Sequence, residues 1–332
     1  MSRFYFLILF SIFLNCSKTD TNEFIKYDKN NLPITKGTVL VPEDSLYGPL
    51  YIEVDENNLF LYDNQKTMPI SVFNKQNGEF SHSFGKAGRG PGEVVYLGNI
   101  ELTEQESIIL FDAQNLKVVE YEKDKRSIFI DEFKFKPLGF ALQFRMLDDS
   151  LFVSSGLIGD RMLAIYNSKG EFVRDFGTLK GDTLETVSVR QHVYRKSVAV
   201  NKDEAKLAVG YLYTDLLEIY DFDEHKLATK TGPLNESPIY TIQDTRMAKV
   251  DDTRLNYLSI KSTDKYIYAL FHGNKISERS DNVGNIVHIF DWDGKFIKAL
   301  KFDEYLFDIA VDDQNLFGLS FSPNYSILKY EL

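Results

Sequence analysis

From about residue 33 onward the chain alternates apolar and polar residues in short runs, and each run is broken by Asp, Asn or Gly. Period-2 alternation bounded by turn residues reads as β-strand. The same unit recurs six times: a short apolar strand, an acidic or Asn-rich turn, then a strongly apolar strand. The copies are Ile52-Glu53-Val54-Asp55 with Leu59-Phe60-Leu61-Tyr62, and Ile100-Glu101-Leu102 with Ile108-Ile109-Leu110-Phe111. They continue with Phe144-Arg145-Met146-Leu147 and Leu151-Phe152-Val153, then Val198-Ala199-Val200 and Leu207-Ala208-Val209. The last two are Leu258-Ser259-Ile260 with Ile267-Tyr268-Ala269-Leu270, and Ile309-Ala310-Val311 with Leu316-Phe317-Gly318-Leu319.

A second half-unit follows the first. Val72-Phe73-Asn74 turns through Asn77-Gly78 into Glu79-Phe80, as do Ile165-Tyr166-Asn167 into Gly170-Glu171-Phe172 and Ile289-Phe290-Asp291 into Gly294-Lys295-Phe296. Asn, Asp and Gly supply the positive φ that tight hairpins need. Each unit is thus a four-stranded meander, and second strands starting 43 to 60 residues apart imply propeller blades. The sixth copy ends at Tyr330, one strand short, and the segment Ile34 to Val41 can supply the missing strand. The expected fold is all-β: a six-bladed β-propeller over 33–332, closed by an N-terminal strand that completes the last blade.

Composition agrees. Of 332 residues 43% are hydrophobic and 14% aromatic, enough for a packed ring of sheets and typical of half-buried pleated surfaces. A formal charge of -11 argues against nucleic acid or an anionic membrane held by bulk electrostatics. The first residues carry an address. Phe4 to Leu14 is an apolar run too short to span a hydrocarbon core and suited to a signal peptide, expected over 1–15. The single cysteine, Cys16, follows Phe13-Leu14-Asn15, which resembles the lipobox of bacterial lipoproteins. That resemblance implies a lipid on Cys16, a tether over 16–32, and a cell-envelope location, with the outer membrane favoured and the face of the membrane left open.

Phe84-Gly85-Lys86-Ala87-Gly88-Arg89-Gly90-Pro91-Gly92-Glu93 lies between the fourth strand of one unit and the first of the next. It resembles the glycine-rich linker of six-bladed propellers of the NHL and TolB-like type. Together with the lipobox and six units it resembles the propeller lipoproteins of gram-negative bacteria, which implies a fold, an anchor and a binding face, and no reaction.

Few chemical motifs accompany this. The linker lacks G-x-x-x-x-G-K-[ST] spacing. Asp291-Trp292-Asp293-Gly294 has Phe296 and Phe302 where a calcium loop needs Gly and Glu. No HExxH or GxSxG occurs, so no metal and no cofactor is expected. The long connections, however, all fall at one end of the ring: Thr178 to Ser197, Gly232 to Tyr257, and His272 to Asn285. Arg89, Arg145, Arg161, Arg190, Arg195, Arg246, Arg254 and Arg279 lie in or beside such connections, whereas lysine populates the opposite turns, as at Lys75, Lys169 and Lys295. Arg presents a rigid fork for carboxylate, sulfate or phosphate, although pairing with nearby acids accounts for the same residues. Two functions fit. One is a lipid-anchored binding module taking an acidic glycan, a peptide or an envelope protein on the Arg-rich face. The other is a polysaccharide lyase or hydrolase acting on an acidic glycan, for which His192, Tyr194 and His272 are the available proton-transfer groups. Asp44-Ser45-Leu46, Asp149-Ser150-Leu151 and Asp182-Thr183-Leu184 resemble a short bacterial O-glycosylation motif.

Overall fold

The computed structural model describes residues 23–103, 106–123, 126–136, 139–279, 281–321 and 324–332. The expected signal segment 1–15, Cys16 and the first part of the tether lie outside these residues.

Six antiparallel sheets make up the ring, and their strands are called A to D from the axis outward. Blade 1 is Pro49–Val54, Asn58–Asp63, Ile70–Asn74 and Phe80–Phe84. Blade 2 is Leu97–Leu102, Ser107–Asp112, Lys117–Glu122 and Phe129–Lys134, and blade 3 is Phe140–Met146, Leu151–Leu157, Arg161–Asn167 and Phe172–Thr178. Blade 4 is Lys196–Asn201, Lys206–Tyr211, Leu216–Asp221 and Lys226–Thr231, and blade 5 is Tyr257–Ser262, Tyr266–Phe271, Gly284–Asp291 and Phe296–Leu306. Blade 6 takes Asp308–Val311, Asn315–Ser320 and Ser326–Glu331 from the C-terminus and Thr38–Val41 from the N-terminus. Thr38 pairs with Lys329 and Val39 with Leu328 in antiparallel register, so the first and last parts of the chain close the ring.

Six apolar clusters hold the blades face to face, one in each blade-to-blade interface. Between blades 2 and 3, for instance, Phe111, Phe135 and Phe144 form a stack with Phe152 and Tyr166 at its ends. Burying such rings supplies the largest favourable contribution to folding. Gly78 illustrates a local demand of closure: its φ is +73°, and a Cβ there would sit 1.9 Å from the Leu40 carbonyl oxygen.

Part of the segment expected as a tether, 16–32, packs on the ring. Glu23–Phe24 runs parallel to the outer strand of blade 4, opposite Lys230 and Thr231, and Ile34–Thr35 runs parallel to that of blade 5, opposite Lys301 and Phe302. Between them Ile25 is buried and Tyr27 Oη lies 2.7 Å from His288 Nε2. The apolar side chains of Ile25 and Tyr27 make residues 23–35 part of the ring's outer wall, covering two otherwise open sheet edges.

Candidate functional site

Each A strand starts at the D–A connection and ends at the A–B turn, so the register of strand A fixes the depth of every side chain on the axis. Tyr51, Asn99, Gln143, Ser197, Ser259 and Asp308 face the fifth residue of their B strands. Two residues further, on the same side of the strand, Glu53, Glu101, Arg145, Ala199, Lys261 and Ala310 face the third. The axis is therefore lined by two tiers of six positions.

The first tier staples blade to blade. Asn99 donates to Phe144 O and accepts from Phe144 N, both at 2.9 Å. Gln143 Oε1 accepts from Val198 N at 3.1 Å. Ser259 Oγ donates to Asp308 Oδ1 at 2.8 Å, and Asp308 Oδ2 accepts from Ile52 N at 3.0 Å. The second tier is a charge network. Arg145 Nη1 lies 2.9 Å from Glu101 and 3.3 Å from Glu53, while Lys261 pairs with Glu53 and lies 3.9 Å from Asp308. Burial pushes the Glu101 and Asp308 carboxyls above their ordinary range, against the pull of Arg145 and Lys261 respectively. With three carboxylates and two cations crossing the axis, the network separates a chamber of about 410 Å³ at the short-turn end from one of about 200 Å³ at the built-up end.

The smaller chamber is a cup lined by Tyr51, Tyr96, Arg195, Leu212, Asn282 and Phe307, among others. Tyr51 stacks on Tyr62 with ring centroids 6.1 Å apart. Burial, reinforced by the adjacent Tyr96 phenol, raises its hydroxyl, while Arg195 pulls it down. Burial likewise raises Tyr213, again opposed by Arg195. The Arg195 guanidinium thus lies within electrostatic reach of two phenols at the mouth.

The long connections form the wall around this mouth. Thr186 caps the helix Val187–Val193 by accepting from Val189 N at 3.3 Å. The hairpin Thr241–Gln243 and Arg246–Ala248 packs on that helix, and Tyr240 Oη donates to Glu185. Backbone bonds then run from loop to loop: Leu212 N to Arg195 O at 2.8 Å, Asn256 N to Leu212 O at 2.7 Å, and His272 N to Asn256 O at 2.9 Å. Buried aspartates at the B–C turns fix the D–A connections. Asp63 accepts from Tyr47 N and Gly48 N, Asp112 from Val95 N and Tyr96 N, and Asp215 from Leu234 N and Asn235 N. Asp112 thereby sets the position of Tyr96 in the cup.

A family model for the TolB-like 6-blade propeller matches residues 30–314. The chain belongs to the TolB-like propeller family. No curated protein matches its sequence. Among solved structures it is similar to a Bacteroides fragilis protein described as exported, at 13% identity and TM-score 0.59 over 94% of this chain and 98% of that one. It is also similar to a DUF4221 family member from Bacteroides vulgatus, at 12% identity and TM-score 0.60 over 91% and 97%. A catalytically inactive virginiamycin B lyase from Staphylococcus aureus shares the fold at 11% identity and TM-score 0.51 over 89% and 87%.

In this TolB-like propeller the eight arginines divide. Arg89, Arg161, Arg190, Arg195, Arg246, Arg254 and Arg279 lie at the built-up end, in or next to the D–A and B–C connections. Arg145 does not: it is the penultimate residue of its A strand, so the chain has already crossed the ring, and the side chain lines the opposite chamber. Three others are in ion pairs, Arg161 with Asp175, Arg254 with Glu236 at 2.6 Å, and Arg279 with Asp281 while stacked 3.7 Å over Tyr305. Arg89, Arg190, Arg195 and Arg246 have no ion-pair partner among the described residues, and only Arg195 lines the cup. His192 Nδ1 is bound to Ser188 O within its own helix at 2.7 Å, and His272 is held between Asp281 O and Asn274 N. Tyr194 packs edge-on against Tyr211. The structure does not bring these three together in the cup. Among the described residues no group of three or more His, Cys, Asp or Glu could hold a metal ion.

Tyr51, Asn282 and Phe307 are the cup residues that motif reading passes over. The signal that finds them is positional: aligning the A strands on Ile52, Ile100, Phe144 and Ile260 puts Glu53, Glu101, Arg145 and Lys261 in one tier and Tyr51 in the tier above.

Proposed function

We propose that this TolB-like propeller is an extracytoplasmic binding module, tethered by a lipid on Cys16, that takes an anionic ligand at the cup on its built-up end. The observation that carries the reading is Arg195: a guanidinium without an ion-pair partner among the described residues, at the mouth of a cup lined by aromatic rings. A carboxylate or sulfate on a sugar or peptide fits this chemistry, because the fork binds the anion in bidentate fashion while Tyr51, Tyr96 and Phe307 offer faces for the attached ring. The polar floor at Gln143 and the clamp of Asp112 on the Tyr96 backbone support a preformed site. Both ring nitrogens of His272 are taken up by loop-holding bonds, and neither His192 nor His272 lines the cup, which supports recognition over proton transfer there. The description of a Bacteroides fragilis structural neighbour as exported is consistent with the address.

The test is a screen of the mature chain against an array of neutral, uronate-bearing and sulfated oligosaccharides, repeated with Arg195→Gln. Binding confined to anionic members and lost in the variant is expected; binding to neutral glycans alone would overturn the reading. For the anchor, metabolic labelling with a lipid precursor is expected to mark the native protein and not Cys16→Ser.

A further inference from the structure

The B, C and D strands of blades 1, 2 and 3 present equivalent cross-strand rows of side chains to the next blade, and the row of blade 2 leaves a space there. In blade 1 the row is Phe60, Val72 and His82, and His82 Nε2 closes it against Ser127 Oγ of blade 2 at 3.0 Å. In blade 3 it is Val153, Ile165 and Arg174. There the guanidinium donates to Phe222 O at 2.7 Å and pairs with Glu224, both in the C–D turn of blade 4. The matching row of blade 2 is Ile109, Glu120 and Asp131. Two carboxylates stand directly opposite each other here, an unfavourable pairing on a sheet. Neither has an ion-pair partner among the described residues.

Where a bridging group stands in those two interfaces, the space between blades 2 and 3 is a slot of about 430 Å³, within the usual range for small-molecule sites. Ile109, Met146, Phe133 and Phe152 form its apolar wall, the two rings lying 5.9 Å apart across the interface. Ser168, in the C–D turn of blade 3, lines its edge, so the slot opens at the short-turn end, away from the cup.

We propose that this slot binds a small organic cation, a guanidinium, amidinium or ammonium group carried on an apolar body. The charge lies between Glu120 and Asp131, and the body fills the space against Phe133 and Phe152. An external cation there does for blades 2 and 3 what Arg174 does from within the chain for blades 3 and 4. Charge-assisted hydrogen bonds to the carboxylates and the adjacent aromatic faces both favour it, and the apolar wall selects against small hydrated cations.

Calorimetric titration of the mature chain with benzamidinium chloride, and with the neutral isostere benzamide, tests this. The wild type is expected to bind benzamidinium at least tenfold more tightly than benzamide. The Glu120→Gln/Asp131→Asn double variant, which removes the like-charge pair and keeps both shapes, is expected to melt no lower and to lose at least tenfold in benzamidinium affinity. Asp131→Arg, which supplies the guanidinium from the chain, is expected to abolish binding. Equal affinity for the two probes, undiminished binding by the double variant, or no benzamidinium binding by the wild type would overturn the proposal.

Discussion

Lys196 offers a sharp test of how tightly blades 3 and 4 are sealed beneath the cup. It is the first residue of strand A in blade 4 and is buried. Its Nζ donates to Met162 O at 3.1 Å and Gln191 Oε1 at 3.3 Å, with no carboxylate as partner among the described residues. Burial lowers its pKa from 10.5 to about 7. Between those values the unfolded chain holds a proton that the folded chain does not. Stability therefore rises with pH across that window, by about 1.4 kcal/mol per unit, and the full penalty of about 5 kcal/mol applies below pH 7. Replacing Lys196 by Met removes the titration but orphans two acceptors, at a cost of about 1–3 kcal/mol each, so the absolute sign of the change is not the test. The test is its pH dependence. In urea unfolding at pH 7.5 and pH 9.0, the wild type is expected to gain about 2 kcal/mol relative to Lys196→Met, other groups cancelling in the difference. A difference that does not vary with pH would refute the reasoning, because it would mean that Lys196 stays charged in the folded ring.

Other expectations follow from the same geometry. Burial holds His288 neutral, with a pKa lowered to about 3, so its contribution is present above pH 6.5 and lost as pH falls; His288→Gln is expected to flatten the stability profile between pH 6.5 and 5 by about 2 kcal/mol, read by urea midpoint. Asp112→Ala is expected to destabilise by about 2–3 kcal/mol and, by freeing the Tyr96 backbone, to weaken ligand binding at the cup without touching the ligand. Arg145→Met is expected to cost about 3 kcal/mol by leaving Glu101 unpaired in the axis and Glu53 with Lys261 alone, and Arg145→Met/Glu101→Gln to recover part of it, measured by thermal unfolding.

Much of the ring was legible in the chain because each blade repeats a local rule. Leu59-Phe60-Leu61-Tyr62 and its counterparts are strands wherever they are placed, and the missing partner of Tyr330 pointed to Thr38–Val41 as the closing strand. The misplacement of Arg145 has a physical cause: nearness in sequence to a long connection does not say which end of a strand a residue occupies, and six residues of strand carry it across the ring. The packing of residues 23–35 was hidden because Phe24-Ile25-Lys26-Tyr27 is one short apolar patch followed by the polar run Asp28 to Asn31, too brief to read as a strand. The cup was hardest to read. Tyr51 and Phe307 belong to blade 1 and to the connection that enters blade 6, and only closure of the ring brings them together.

Recognition at the built-up mouth would rest on the Arg195 guanidinium. Titration of the protein with an acidic oligosaccharide selected by the array, alongside Arg195→Gln and Lys202→Gln, the latter on the lining of the opposite chamber, tests this. At least a tenfold loss of affinity is expected in the first variant and none in the second. Full affinity in Arg195→Gln, or a loss confined to Lys202→Gln, would contradict it.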